Sequence, residues 1–257
     1  MKIATYNIWD DNRGMPGRME QIHAQIQSLG ADILCLQDVP SDILCKALAQ
    51  KGGFDYSFHS PFPGSCDLAI LSRFPLVSAH NIADSQVVAV DIGGVTLEVI
   101  NVHLPWNHVL VRERHAVKLV GQNKKTSAHY SLLCGDFNCE DGCSVINFLL
   151  GRQSLFAEEA VPYWNDLAIT HQNLTGEAPE ATLDLATNPR WQGKGYHPGS
   201  GNRADRIFLK DTYPMPEPRL NAFGLFGKEV SPVTGFCASD HYGVYACLDF
   251  ENAISTL

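Results

Sequence analysis

Six apolar runs in this sequence carry, at one end, residues that can do chemistry. The run at 2–6 delivers Asn7, and the run at 32–36 delivers Gln37 and Asp38. The run at 95–100 delivers Asn101 and His103. The run at 131–134, in "SLLCGDFNCED", delivers Asp136 and Asn138. "RADRIF" presents Asp205 at the start of a strand, and "ASDHYG" presents Asp240 and His241 just before the last one. If these ends share one edge of a sheet sandwich, three or four carboxylates, two histidines and two or three amides meet in a pocket. That many carboxylates repel one another unless a cation binds among them. Hard oxygen donors select Mg²⁺, with Mn²⁺ as the alternative, over zinc. A cation for charge, histidine for the oxygens of a pentacovalent phosphorus and a carboxylate for the water form a set suited to phosphoryl transfer. Taken alone, Gly135, Asp136 and Asn138 would serve an ordinary turn equally well.

The elements that must position these residues are legible as patterns. Residues 2–9 alternate as a strand. Pro16 opens a helix with Met19, Ile22, Ile26 and Leu29 on one face, and Gly30 stops it. Residues 32–39 read as a continuous apolar strand. Ser41 caps a short helix that ends by Gly52 and Gly53. Residues 67–75 read as a strand with a proline exit, and 85–104 as a hairpin turning at Gly93-Gly94. Helices over 109–121 and 142–151 flank the strand at 131–135, and late strands cover 204–210 and 241–250. Continuous apolar strands imply sheets buried on both faces. Two sheets packed together with helices outside, an α/β sandwich, fit best. The segment 188–203 is the least regular, 213–220 is an extended, proline-stiffened connection, and residues 1–257 read as a single domain.

Composition narrows the classes. The chain has 257 residues, 45% hydrophobic and 18% charged, which suits a large buried core. A net charge of −9 argues against a basic protein that coats nucleic acid. Asp10 and Asp11 stand where a secretory signal would have its apolar core, and no apolar stretch reaches membrane-span length. A cytoplasmic location, no membrane partner and no obligate protein partner follow as expectations. The eight cysteines lack paired zinc-site spacing and read as reduced.

"TYNIW", "LCLQDV", "NVHL", "CGDFN", "DRIF" and "SDHYG" occur in the order found in the endonuclease/exonuclease/phosphatase superfamily. The resemblance runs from Tyr6 to Asp249, and "DRIF" with "SDHYG" looks most like the 5′-tyrosyl-DNA phosphodiesterase branch. It implies a DNase I-like, four-layer α/β sandwich of two mixed β-sheets packed face to face. It also implies a Mg²⁺-dependent phosphodiesterase in which water attacks in line, acting on a nucleic-acid end (DNA or RNA) or a related phosphodiester. By this resemblance Asn7 and Asp38 hold the metal, with Asp240 beside it. Asp136 activates the water, and Asn138 positions it. His241 binds a phosphate oxygen with its tautomer fixed by Asp205, and His103 stabilises the transition state. One departure stands out: the family usually has Glu where this chain has Asp38, a side chain shorter by about 1.5 Å. A catalytically weakened binding module is therefore an alternative, as is a sphingomyelinase-like or inositol phosphate hydrolase.

Bland readings compete with several of these. Asp205 beside Arg203 and Arg206 would make a surface ion pair, worth about 0–1 kcal/mol. His23, His115 and His129 read as surface or packed residues, and His197 as solvated. Trp9, Trp106 and Trp191 could stack on a base or simply pack. Trp9, Trp191, Asn101 and Arg73 are taken as substrate-binding candidates. Arg73, Arg190 and Lys194 would meet a second phosphate.

Overall fold

The computed structural model describes residues 1–62, 67–157, 163–192, 194 and 201–251. Its first sheet contains β1 (Lys2–Asn7), β2 (Ile33–Gln37), β3 (Tyr56–Ser60), β4 (Leu68–Ser72), β11 (Arg219–Phe226) and β12 (Gly243–Asp249), in the order β11-β12-β1-β2-β4-β3. The second contains β5 (Leu76–Ile82), β6 (Ser85–Asp91), β7 (Thr96–His103), β8 (Tyr130–Asp136), β9 (Trp164–Asp166) and β10 (Asp205–Lys210), in the order β5-β6-β7-β8-β10-β9. Helices α1 (Gly17–Leu29) and α2 (Asp42–Gly52) cover the first sheet; α3 (Val109–Asn123) and α4 (Ser144–Leu149) cover the second. A short α5 (Leu167–Thr175) follows β9. Among the described residues, no helix is long and apolar enough to cross a membrane.

The apolar runs are continuous because each inner strand feeds two cores. In β8, Leu132 and Cys134 enter the layer between the sheets, while Leu133 faces α3 and α4. Successive side chains of a strand point to opposite faces, so neither face can be polar. Each such fully buried leucine contributes roughly 1.5–3 kcal/mol by transfer from water. The helix ends follow local chemistry. Ser41 Oγ accepts from Leu44 N at 3.2 Å at the start of α2, and Gly30 closes α1 in the left-handed conformation. The β6–β7 hairpin turns on Gly93 and Gly94, whose φ values of 81° and 91° suit a tight turn.

One feature of topology creates a functional rim. Each sheet has one parallel pair at its heart, β1–β2 and β7–β8. These four strands deliver Asn7, Asp38, His103 and Asp136 at or just past their C-terminal ends. Their antiparallel neighbours contribute their beginnings: Asp205, which opens β10, lies opposite Asp136, and β12 runs antiparallel to β1 with Asp240 and His241 just before it. β4 obeys the same geometry with the opposite result. It runs antiparallel to β2, so its end, and Arg73 after it, lies at the far edge.

The strands are shorter than their apolar runs. The first ends at Asn7, and the second at Gln37. Five elements carried no clear sequence signal: β3, β5, β9, β11 and α5. At Gly135, φ is +139°, and a Cβ there would lie 2.0 Å from the Val102 carbonyl oxygen of the paired strand. We expect Gly135→Ala to lower stability by at least ~3 kcal/mol, read as a fall in the urea midpoint. Unchanged stability would mean that the β7–β8 approach is looser than described.

Candidate active site

Asp136 is the hub of the rim. It is buried, and its two oxygens gather donors from both sheets. Oδ2 accepts from Asn7 Nδ2 at 3.1 Å, lies 3.4 Å from His103 Nε2 and 3.9 Å from His241 Nε2. Oδ1 accepts from the backbone N–H of Asn138 at 2.8 Å. His103 Nδ1 in turn lies 3.5 Å from Asp38 Oδ1. His241 is oriented from behind by Asp205, with Nδ1 and Oδ2 at 2.8 Å. Seven of the eight residues expected to act as catalyst or metal ligand are thus joined by direct contacts. The eighth, Asp240, is adjacent to His241 and feels the charges of Asp38 and Asp136.

Loops tied to strand ends hold this geometry. Ser239 Oγ donates to the Asn7 carbonyl at 2.7 Å and accepts from His241 N at 3.1 Å, which fastens the loop before β12 to the end of β1. Asn7 Oδ1 accepts from Trp9 N at 2.8 Å, and Asn138 Nδ2 donates to Leu104 O at 2.9 Å. Trp9, Asp38 and Asn138 have φ values of 59°, 60° and 47°. Three non-glycine residues in the left-handed region, each just past a site strand, concentrate backbone strain where the side chains must be aimed.

The electrostatics follow from crowding. Burial opposes charge on His241, yet the carboxylates of Asp205 and Asp136 hold its pKa well above the ordinary 6.5. Burial pushes the Asp240 carboxyl up; His241 opposes that shift, while Asp38 and Asp136 add to it. This accumulation of negative charge is what a divalent cation would relieve, and its donors are hard oxygens. Asp38, Asp240, Asp136 and the amide oxygen of Asn7 fit such an ion. Asp136, Asp205 and His241 also offer ligand atoms within 4.8 Å of one another. Asp205 and His241 already satisfy each other, however, so a cation there would displace their shared proton.

Several expectations are corrected. Asn101 is not in the cleft. It is fully buried, accepts from Gln37 Nε2 at 2.7 Å, and donates to the carbonyls of Leu36 and Ala69 at 3.0 and 3.1 Å. It clamps the sheets together beneath the site, with Gln86, whose side chain reaches Phe58 O and Leu68 O. Arg73 is at the wrong edge. Its N–H binds Asp32 O, before β2, and its guanidinium lies 5.8 Å from the Phe54 ring. Asp205 is no surface ion pair: Arg203 and Arg206 instead share Asp166 Oδ2, each at 2.9 Å, and both reach Asp141. Sequence reading missed Asp166, Asp141, Gln37 and Gln86 in these roles, since ordinary polar spacing carries no sign of a partner.

The tryptophans are divided. Trp9 has the guanidinium groups of Arg13 and Arg190 at 4.5 and 4.7 Å from its ring. Trp191 donates its indole N–H to Asp240 O at 3.1 Å and carries Lys194 at 4.9 Å. Both therefore flank the Asn7–Asp240 side of the rim. Trp106, just past His103, is 77% exposed. His115 is buried against Ser85, His23 meets Lys51, and His129 accepts from Thr96 N. His197 lies outside the described residues.

Two mixed six-stranded sheets, clad by helices and bearing this rim, define a DNase I-like fold. The chain belongs to the endonuclease/exonuclease/phosphatase family, whose model matches residues 4–241. TDP2 from Caenorhabditis elegans is similar in structure at 20% identity, with a TM-score of 0.74 over 97% of this chain and 74% of that one. TDP2 from D. rerio, solved with single strand DNA product, gives 18% identity and a TM-score of 0.75 over 97% of this chain and 98% of that one. Beta toxin from Staphylococcus aureus gives 15% and 0.69 over 96% of this chain and 99% of that one. No curated protein matches the sequence.

The His241–Asp205 contact sets a pH expectation. A folded-state pKa raised above 6.5 contributes stability that is complete below that pH and is lost as pH rises through the folded value. In the metal-free chain, Asp205→Asn should return the His241 pKa toward its ordinary value, followed by NMR of the imidazole nitrogens. An unchanged titration would show that Asp136 and Asp240, rather than Asp205, govern the ring.

Proposed function

We propose that this protein is a Mg²⁺-dependent phosphodiesterase that hydrolyses a phosphoester bond by in-line attack of water. Its substrate is a nucleic-acid end or a related phosphodiester. The observation that carries the reading is the convergence of Asn7, Asp38, His103, Asp136, Asn138, Asp205 and His241 in one contact network at a shared sheet rim. Family membership supports the hydrolase class, and a DNA product bound to a TDP2 neighbour supports a nucleic-acid substrate.

Each side chain has a role that its surroundings favour. Asp136 orients the attacking water and takes its proton; Asn7 and Asn138 aim the carboxylate by donating to it. His241, kept protonated by its carboxylate neighbours, donates to a non-bridging phosphate oxygen. Asp205 holds its ring in place. His103, on the other side of Asp136, stabilises charge as the P–O bond breaks. Asn7, Asp38 and Asp240 hold the metal. When bound, Mg²⁺ supplies charge neutralisation at the phosphate. Trp9 and Trp191 offer rings to the substrate beside the scissile group.

The shorter Asp38 does not leave the network, since it still faces His103. We therefore favour an active enzyme over a weakened binding module. A lipid-headgroup substrate has one observation in its favour: Trp106, Val109, Leu110 and Val111, which follow His103 in the chain, are exposed apolar residues.

Turnover of bis-p-nitrophenyl phosphate, a 5′-phosphotyrosyl oligonucleotide and a phosphocholine diester in vesicles, with Mg²⁺ and Mn²⁺, separates these substrates. We expect the oligonucleotide to be preferred, and Asp136→Asn to cost about 10²–10⁴-fold in rate. Full activity in that variant removes Asp136 as the water-activating residue. Asp38→Ala should weaken Mn²⁺ binding by at least ~10-fold in calorimetry with the fold retained. Unaltered binding would move the metal away from Asp38.

A further inference from the structure

Three of the chain's 19 basic side chains gather on one indole beside the rim. The guanidinium carbons of Arg13, Arg190 and Arg18 lie 4.5, 4.7 and 5.8 Å from the centre of the Trp9 ring. Arg190 also lies 5.3 Å from the Phe236 ring. The cluster is built into the two loops that carry Asn7 and Asp240. Trp9 N donates to Asn7 Oδ1 at 2.8 Å. Arg18 Nη1 donates to the carbonyls of Ile8 and Ala238 at 2.7 and 3.2 Å. Arg190 Nε donates to Cys237 O at 2.8 Å. Asn188, whose Oδ1 accepts from Arg190 N at 3.1 Å, donates to Ser239 O at 3.0 Å.

These carbonyls fix the guanidinium groups in place without neutralising them. Sharing one ring puts Arg13 and Arg190 no farther apart than about one Debye length, ~8–10 Å, so their repulsion is only partly screened. Asp11 pairs with Arg13 at 3.0 Å. Among the described residues, no carboxylate comes within ion-pair distance of Arg18 or Arg190. Arg190 is only 5% exposed, and its Nη2 finds no hydrogen-bond partner among the described residues. Arg203 and Arg206, also buried, show the usual remedy: they share the carboxylates of Asp166 and Asp141. Stacking on aromatic rings accounts for the flat packing of Arg190. It does not account for three like charges on one indole, since a buried cation without a counter-charge is unfavourable.

We infer that Arg13 and Arg190, over Trp9, form a subsite for a second phosphate group of the substrate, beside the one that is cleaved. The inference rests on the phosphodiesterase reading above and narrows it to substrates that carry two phosphates. A guanidinium presents paired N–H donors that match phosphate oxygens. Arg13 is the entry to the subsite: its side chain is 58% exposed, and it exchanges Asp11 for the incoming anion. Arg190 supplies a fixed charge from beneath. The chain as a whole carries a net charge of −9, which repels polyanions. A local positive cluster on the Asn7–Asp240 side lets one dock there all the same. The second phosphate comes either from the next link of a nucleic-acid backbone or from a small bisphosphorylated molecule.

The test uses thymidine p-nitrophenyl phosphodiesters, esterified at the 5′ or the 3′ oxygen, each without or with a phosphate on the other oxygen. With Mg²⁺, we expect the second phosphate to raise kcat/KM at least ~10-fold in one of the two pairs, mainly through KM. Arg13→Gln, at an exposed position that the fold does not depend on, should abolish that preference. Linking a further nucleotide through the added phosphate tells the two sources apart: a nucleic-acid site keeps the preference, and a small-bisphosphate site loses it. Independently of turnover, inorganic phosphate in EDTA should shift the Trp9 indole N–H resonance of the wild-type protein, and less so that of Arg13→Gln. If no ester is cleaved, the phosphodiesterase reading fails, and this titration still decides the subsite. Equal kcat/KM within both pairs overturns the inference, as does a Trp9 signal that phosphate leaves in place.

Discussion

The site depends on the two sheets keeping one register against each other. Asp136 belongs to the second sheet, while Asn7 and His241 come from the first, and their contacts tolerate shifts of only a few tenths of an ångström. Apolar packing between the sheets is strong but non-directional, so it does not by itself forbid sliding. Directionality comes from the amides beneath the cleft. Gln37 reaches across to Asn101, and Asn101 returns to the carbonyls of Leu36 and Ala69. Each such bond is worth only about 1 kcal/mol net, but leaving one partner unmade in a dry interior costs about 1–3 kcal/mol. A register slip would break several at once, so the clamp supplies specificity more than stability.

Above this clamp, the rim depends on strand direction. Parallel pairs at the centre of both sheets send their C-terminal ends the same way, and antiparallel neighbours return their starts to the same edge. Just past three of those ends the backbone enters the left-handed region, at Trp9, Asp38 and Asn138. Asn and Asp tolerate that conformation better than most residues. Here the bends bring the Asn138 N–H to Asp136, the Trp9 N–H to Asn7 Oδ1 and the Asp38 carboxylate to His103. Such strain persists only where surrounding contacts fix it, and the hydrogen bonds of Asn7 Oδ1, Asp136 Oδ1 and Leu104 O do so for Trp9 and Asn138.

This division explains what the sequence revealed. Inner strands are buried on both faces, and their apolar runs were legible at once. The unread strands, β3, β5, β9 and β11, are the four sheet edges. Much of β5 is exposed, β11 is largely half-buried, and β9 has three residues, so none carries a long apolar run. The site followed the same logic. Residues just past a strand converge only when the strands run the same way, and nothing local reveals that β4 is reversed, which is why Arg73 was misplaced. Asn101 shares a face with His103 but lies one pleat deeper, where a polar side chain meets backbone rather than solvent. The pairing of Arg203 and Arg206 with Asp166 joins residues about 40 positions apart, beyond any sequence pattern.

The stitch between Ser239 and Asn7 spans 232 positions of chain. Closing so long a loop costs about 5 kcal/mol of chain entropy before any contact repays it. β1 also has β12 as one of its two sheet neighbours, so the heart of the first sheet joins strands far apart in the sequence. During synthesis on a ribosome, β1 must therefore wait, one edge bare, until β12 has emerged. The rim is completed late, once the loop that carries Asp240 and His241 has joined Asn7 and Asp205.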